Sequence, residues 1–166
     1  EHFVINHIDI DHQQKSNDGT IKNSVKLYDN LVVESVLIPT ATRTTACISS
    51  QVGCSLSCKF CATGTMARIR NLTAGEIYDQ VVAIMNKSKE VYNLPLTNIV
   101  YMGMGEPLLN YKNVKRSIHL SKSNSSSIKS LIQLKEIFIG VNIQLSIIRK
   151  GFYMFVVRTP LLHRLP

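Results

Sequence analysis

Three cysteines stand at the spacing Cys54-x3-Cys58-x2-Cys61. Three thiolates on one loop can hold three irons of a 4Fe–4S cube. The fourth iron is then open to a ligand that is not cysteine, and S-adenosylmethionine can chelate it through its amino and carboxylate groups. One electron from the cluster would cleave the sulfonium and generate a 5′-deoxyadenosyl radical. A cube with four cysteine ligands lacks that open position, so a count of three carries chemical meaning. Phe60, just before the last ligand, is expected to shield the cluster. The spacing leaves zinc open as an alternative, with Cys47 as a fourth thiolate of a structural site. Such sites usually pair two close-spaced knuckles across a longer gap, and no second knuckle is present.

A second chemical segment is Tyr101-Met-Gly-Met-Gly-Glu-Pro107. Its glycines let backbone approach a ligand closely, and Glu106 can accept hydrogen bonds from an ammonium group. Taken alone, a glycine-rich strand end is more often a tight turn. Beside a cysteine loop on the same face, the ligand reading is favoured.

The elements around these loops can be read from pattern. Ile21–Tyr28 and Leu31–Ile38 are apolar-rich runs separated by Asp29-Asn30, a hairpin signature. Asp18-Gly19 marks a turn before them and Pro39 ends the second run. Ala46–Val52 reads as a strand leading into Gly53 and the cysteine loop. Thr73-Ala-Gly-Glu76 fits a capping box, and Ile77, Val81, Ile84 and Met85 follow at helical spacing. The helix is expected to fade near Asn93-Leu94-Pro95, with Asn98–Met102 as the next strand. Strand, helix, strand is one βαβ unit, which implies parallel strands and a right-handed crossover. In barrels of parallel strands the active site lies at the strands' C-terminal ends, and both loops fall there.

Composition narrows the class. All four cysteines lie between Cys47 and Cys61, in a chain without a visible signal peptide, which favours a metal site in a reducing, cytoplasmic compartment over a disulfide framework. No apolar run is long enough to span a membrane. The net charge is +8, and it is uneven. Residues 1–110 hold nine Lys+Arg and ten Asp+Glu, whereas residues 111–166 hold ten Lys+Arg and one acid, Glu136. That break is a boundary signal before it is a partner signal.

The run Cys47-Ile-Ser-Ser-Gln-Val-Gly-Cys54-Ser-Leu-Ser-Cys58-Lys-Phe-Cys61-Ala-Thr-Gly64, then Arg70-Asn-Leu-Thr73, then Gly103-Met-Gly-Glu-Pro-Leu-Leu-Asn110, closely resembles the radical-SAM adenine C2 methyltransferases, the RlmN/Cfr family. Asp18-Gly-Thr20 and Val33-Glu-Ser-Val-Leu-Ile-Pro39 extend the likeness upstream, and the RlmN branch is favoured over Cfr as the general housekeeping type. The resemblance implies an α/β fold: part of a radical-SAM, TIM-like barrel of parallel strands over 41–118, preceded by a small β-hairpin region over 1–40. It implies methylation of C2 of an adenine in 23S ribosomal RNA, and for RlmN types also in transfer RNA. One S-adenosylmethionine would methylate a cysteine near the C-terminus of the family's domain, and a second would supply the radical. A low-potential electron donor and a monomeric protein go with this reading. Residue by residue, Cys54, Cys58 and Cys61 match the cluster ligands, and Gly105 and Glu106 match the loop that holds the amino group of S-adenosylmethionine. Cys47 matches the resolving cysteine and Glu34 the proton acceptor. From the residues alone, Glu34 is an ordinary solvated strand residue and Cys47 a small packed thiol; only the resemblance gives them roles.

The family pattern is expected to stop after Ile118. No cysteine follows Cys61, so the methyl-carrying cysteine is missing and the chain alone is expected to be an inactive fragment. Residues 119–166 form an unmatched basic tail of irregular structure, attributed to a frameshift or truncated reading, or else to a genuine RNA-binding extension. The competing functions are a small zinc-bound nucleic-acid-binding module and a different radical-SAM enzyme.

Overall fold

The computed structural model describes residues 7–123. Their framework is a five-stranded sheet in the order β1-β2-β3-β4-β7 with a separate two-stranded ribbon, β5-β6. The strands are β1 (Asp9–Lys15), β2 (Ile21–Lys26), β3 (Val32–Pro39), β4 (Thr44–Cys47), β5 (Gln51–Val52), β6 (Arg70–Asn71) and β7 (Asn98–Val100). Two helices complete it, α1 (Ala74–Tyr92) and α2 (Tyr111–Ser123), with short 3-10 turns at Ala62–Thr65 and Pro107–Asn110.

The expected hairpin is β2–β3, antiparallel from Ile21↔Leu37 to Lys26↔Val32. Its turn closes through the Leu27 and Asn30 N–H groups, with Asn30 at φ 63°. Along β2, Ile21, Asn23 and Val25 are buried, and along β3, Val33, Ser35 and Leu37. The period of two therefore selects one core face, and the polar pair on it is internally satisfied by Asn23 donating to Ser35. Before the hairpin lies a strand with no apolar pattern: β1 is exposed along all seven residues and pairs with β2 at the sheet edge. Polar side chains on an edge strand discourage pairing with other chains.

The hairpin region is bonded into the same sheet as the βαβ unit, because β3 pairs antiparallel with β4. Beyond β4 the expected parallel pair is present, with Thr45, Ala46 and Cys47 opposite Asn98, Ile99 and Val100 of β7. Among the described residues this is the single parallel pairing, so the sheet is mixed and the barrel expected from sequence is not closed within them.

α1 starts as expected: Thr73 accepts from the Glu76 N–H while the Glu76 carboxylate accepts from the Thr73 N–H. Ile77, Val81 and Ile84 bury one stripe of the helix against the sheet. Each such side chain contributes about 1.5–3 kcal/mol. The helix ends at Asn93, whose left-handed conformation (φ 52°) turns its N–H back to the Lys89 carbonyl. No described helix is long and apolar enough to cross a membrane.

Two elements differ from expectation. Ala46–Val52 is not one strand: it breaks at Ile48–Ser50, where the backbone turns toward α1 and the second loop. α2 continues to Ser123, past the point at which organisation was expected to weaken. Its inner face is Val114, Ser117 and Ser121, all buried, with Ser117 bonded to the Tyr101 hydroxyl at 3.0 Å. Serines on a core face hide the helix from an apolar-periodicity reading. From residue 124 onward the basic tail lies outside the described residues.

Candidate active site

The cysteine loop spans residues 53–69 between β5 and β6. These strands pair antiparallel and close its neck. Two further bonds tighten it: Ile69 N–H to the Val52 carbonyl at 2.8 Å and Cys54 N–H to the Met66 carbonyl at 3.3 Å. Inside, the Cys61 N–H bonds the Cys58 carbonyl and the Gly64 N–H bonds the Cys61 carbonyl. Backbone bonding thus winds the last two thiols into consecutive turns. All three thiol residues are partly exposed. Phe60, beside Cys61, is 76% exposed.

The donor set fits an iron–sulfur cluster: three soft ligands on one accessible loop, with no carboxylate or imidazole between them. Among the described residues no three His, Cys, Asp or Glu side chains converge on one point. Cys47 lies on β4, outside this loop.

Arg70 fastens the neck. Its Nε bonds Asp29 Oδ2 at 2.7 Å in the β2–β3 turn, and its two Nη groups bond the Glu76 carboxylate at 2.7 and 3.0 Å at the start of α1. The guanidinium also lies 5.2 Å over the Tyr28 ring. Burial opposes ionisation of Glu76, but the Arg70 fork and the Thr73 N–H outweigh it and hold the carboxyl below its ordinary range. Asp29 is lowered chiefly by its hydrogen bond from Arg70.

The second loop, Gly103–Pro107, is tied to the segment between β4 and β5. Ser49 Oγ accepts from the Met104 N–H at 2.8 Å, the Ser50 N–H donates to the Met104 carbonyl at 2.9 Å, and Gln51 Oε1 accepts from the Glu106 N–H at 2.8 Å. Gln51 also donates to Asn71 on β6 at 2.7 Å, so one side chain joins the two loops. Gln80 of α1 holds both backbone groups of Ser49. Asn110 bonds the carbonyls of Ser50 and Leu72, both at 2.8 Å. Gly105 sits at φ +88°, and a Cβ there would stand 2.4 Å from Gln51 Cβ. Glu106 is buried, and its Oε1 accepts from the Leu108 N–H, capping the following turn. The supporting residues Ser49, Gln51, Gln80 and Asn110 escape a sequence reading. Their one outward signal is the polar run Ser49-Ser50-Gln51 set between apolar strands.

Cys47 and Glu34 lie on the same sheet face: Val36 is opposite Cys47, and Glu34 is two residues along from Val36 on β3. Glu34 is about half exposed, and its carboxylate is paired with Lys22 Nζ at 2.5 Å. Its carbonyl accepts from Ser49 Oγ at 2.5 Å. Burial pushes the Cys47 thiol up to about 11, against a smaller opposing effect of the Met102 backbone. Because the thiolate is the nucleophile, Cys47 is expected to resist iodoacetamide at pH 7.5 while Cys54, Cys58 and Cys61 are modified first. Mass mapping of the alkylated chain checks this order; Cys47 labelled as fast as the others would refute it. The neutral, half-buried thiol also favours the fold below the ordinary thiol range, and this contribution is lost as pH rises toward about 11.

The family model of the radical SAM superfamily matches residues 48–154, which hold both loops. The chain belongs to the radical SAM superfamily. That superfamily uses S-adenosylmethionine with an iron–sulfur cluster, in keeping with the thiol loop. This radical SAM chain is 64% identical over 124 residues to a protein of Flavobacterium psychrophilum named "Probable dual-specificity RNA methyltransferase RlmN", covering 75% of this chain and 36% of the relative. It is 48% identical over 124 residues to the dual-specificity RNA methyltransferase RlmN of Zymomonas mobilis, covering 72% and 32%. A radical SAM methyltransferase from Sphaerobacter thermophilus superposes with a TM-score of 0.68 at 43% identity, covering 70% of this chain and 34% of that one. The chain thus spans about a third of the length of the relatives it matches.

Proposed function

We propose that this chain is the cofactor-binding part of a radical SAM methyltransferase that modifies C2 of an adenine in 23S ribosomal RNA, and in transfer RNA. The observation that carries the reading is the joining of the cysteine loop and the Gly105-Glu106 loop through Gln51. Cys54, Cys58 and Cys61 would hold a 4Fe–4S cluster. When bound, that cluster supplies the one electron, drawn from a low-potential donor, that cleaves S-adenosylmethionine. Gly105 and Glu106 receive the amino group of S-adenosylmethionine, with Gln51 fixing the loop's backbone. Cys47 waits as a neutral thiol at the strand end, protected from premature reaction, and serves as the resolving nucleophile. Glu34, held in place by Lys22, accepts the proton lost from the adenine ring.

Anaerobic reconstitution of the chain with iron and sulfide tests the first requirement. About four irons and four sulfides per chain are expected, with broad visible absorbance. Cys54→Ser is expected to lose the cluster and Cys47→Ser to keep it. Zinc bound by four thiols without visible absorbance would overturn the reading in favour of a structural zinc module.

A further inference from the structure

α2 divides cleanly into two faces. Val114, Ser117 and Ser121 are buried. Lys112, Lys115, Arg116 and His119 are exposed, and their spacing of three and four places them in one outward arc. Tyr111, 53% exposed, stands one turn before Lys115 on the edge of the same arc.

An ordinary solvated helix face mixes carboxylates with its lysines, because pairs of opposite sign four residues apart stabilise it and like pairs do the reverse. No Asp or Glu occurs between 111 and 123. On the neighbouring helix Glu76 is bound by Arg70 and Glu90 by Lys87, and the remaining carboxylate, the partly buried Asp79, forms no ion pair with α2. Among the described residues no ion pair joins α2 to a carboxylate. The face therefore keeps an uncompensated positive field, which suits a polyanion. Its head adjoins the second loop through the turn Pro107–Asn110, so a polymer lying along α2 begins at the candidate active site. A phenol ring beside clustered cations is the combination that binds single-stranded nucleic acid, by stacking a base and neutralising phosphates.

Taking RNA as the substrate class from the proposed function, we infer that the outward face of α2, headed by Tyr111, docks single-stranded RNA beside the active site. Lys112, Lys115 and Arg116 contact phosphates and Tyr111 stacks a base.

The test is fluorescence anisotropy of a labelled single-stranded RNA with the full 166-residue chain across a series of salt concentrations. The triple variant Lys112→Gln/Lys115→Gln/Arg116→Gln should bind about tenfold or more weakly at low salt, and its slope of log affinity against log salt should flatten by about two. Tyr111→Ala should weaken binding with the slope unchanged, and Tyr111→Phe should restore it. Lys87→Gln/Lys89→Gln on α1 serves as the charge control and should change little. The inference falls if the triple variant keeps the wild-type slope, if the control loses as much affinity, or if poly-glutamate displaces the RNA at equal charge. Should the triple variant misfold, the single variants at these exposed positions are measured instead, each expected to flatten the slope by a part of the total. A wild-type chain that binds no RNA would sink the RNA reading itself. Binding that is insensitive to α2 would sink only the docking face.

Discussion

Arg70→Ala is expected to cost the fold about 3–5 kcal/mol, out of a total that in domains of this kind is about 5–15 kcal/mol. The magnitude comes from what remains behind. Glu76 is only 3% exposed, and its two oxygens rest on the Arg70 fork. Removing the guanidinium leaves a buried carboxylate with an uncompensated charge, and that desolvation cost dominates. Asp29, which is more exposed, adds less. The midpoint of urea unfolding measures the loss, and a change below about 0.5 kcal/mol would show that the pair behaves as a surface salt bridge. Arg70→Lys should lie between, since an ammonium keeps the charge but not the bidentate geometry. The double variant Arg70→Met/Glu76→Leu should recover much of the loss, less the value of the capping box, about 1 kcal/mol. Acid weakens the same pair by a different route, because protonating Glu76 removes its attraction to Arg70 without leaving a buried charge. Glu76 titrates below its ordinary value of 4.5 in the folded chain, so its contribution is present above that value and is lost as pH falls further.

Gly105→Ala is expected to collapse the second loop while leaving the sheet folded. Its φ of +88° already strains any residue with a Cβ, and the added atom would stand 2.4 Å from Gln51 Cβ and 2.8 Å from the Gln51 backbone nitrogen. Neither neighbour is the free end of a side chain, so the loop itself must move. The combined cost is about 2–4 kcal/mol, concentrated in the loop. Hydrogen exchange should show the Met104 and Glu106 amides losing protection while those of β2 and β3 keep theirs. Under the proposed function, S-adenosylmethionine binding is lost with them. Gly75→Ala provides the contrast, because the nearest atom to a Cβ there is 3.9 Å away and the helix tolerates alanine well. Equal behaviour of the two variants would remove the steric argument.

The elements that announce themselves locally were legible in the sequence. The hairpin follows from alternation and Asp29-Asn30, and α1 from its capping box. The parallel β4–β7 pair and the two loops at one sheet edge follow from the βαβ order. What stayed hidden depends on tertiary partners. β1 has no apolar pattern because neither of its faces meets the core. The break at Ile48–Ser50 arises because Ser49 bonds Gln80 and Met104 across long separations. α2 shows only a thin apolar stripe, Val114 and Ile118, because Ser117 and Ser121 complete its buried face. In the candidate site, Cys54, Cys58, Cys61, Gly105 and Glu106 could be named from spacing and resemblance. Lys22 beside Glu34, the raised Cys47 thiol and the Gln51 link are consequences of folding alone.

The segment from Ile48 to Gln51 gives the two loops a shared footing, and this bears on how they fluctuate. Ser49 and Gln51 each bond the second loop, and Gln51 also holds β6 at the neck of the cysteine loop. Neither loop can open through this segment without releasing bonds that constrain the other. The two therefore belong to one cooperative opening unit with a common free energy. A ligand seated on either loop raises that free energy for both, so ordering by an iron–sulfur cluster and ordering by S-adenosylmethionine would reinforce each other without any change of shape.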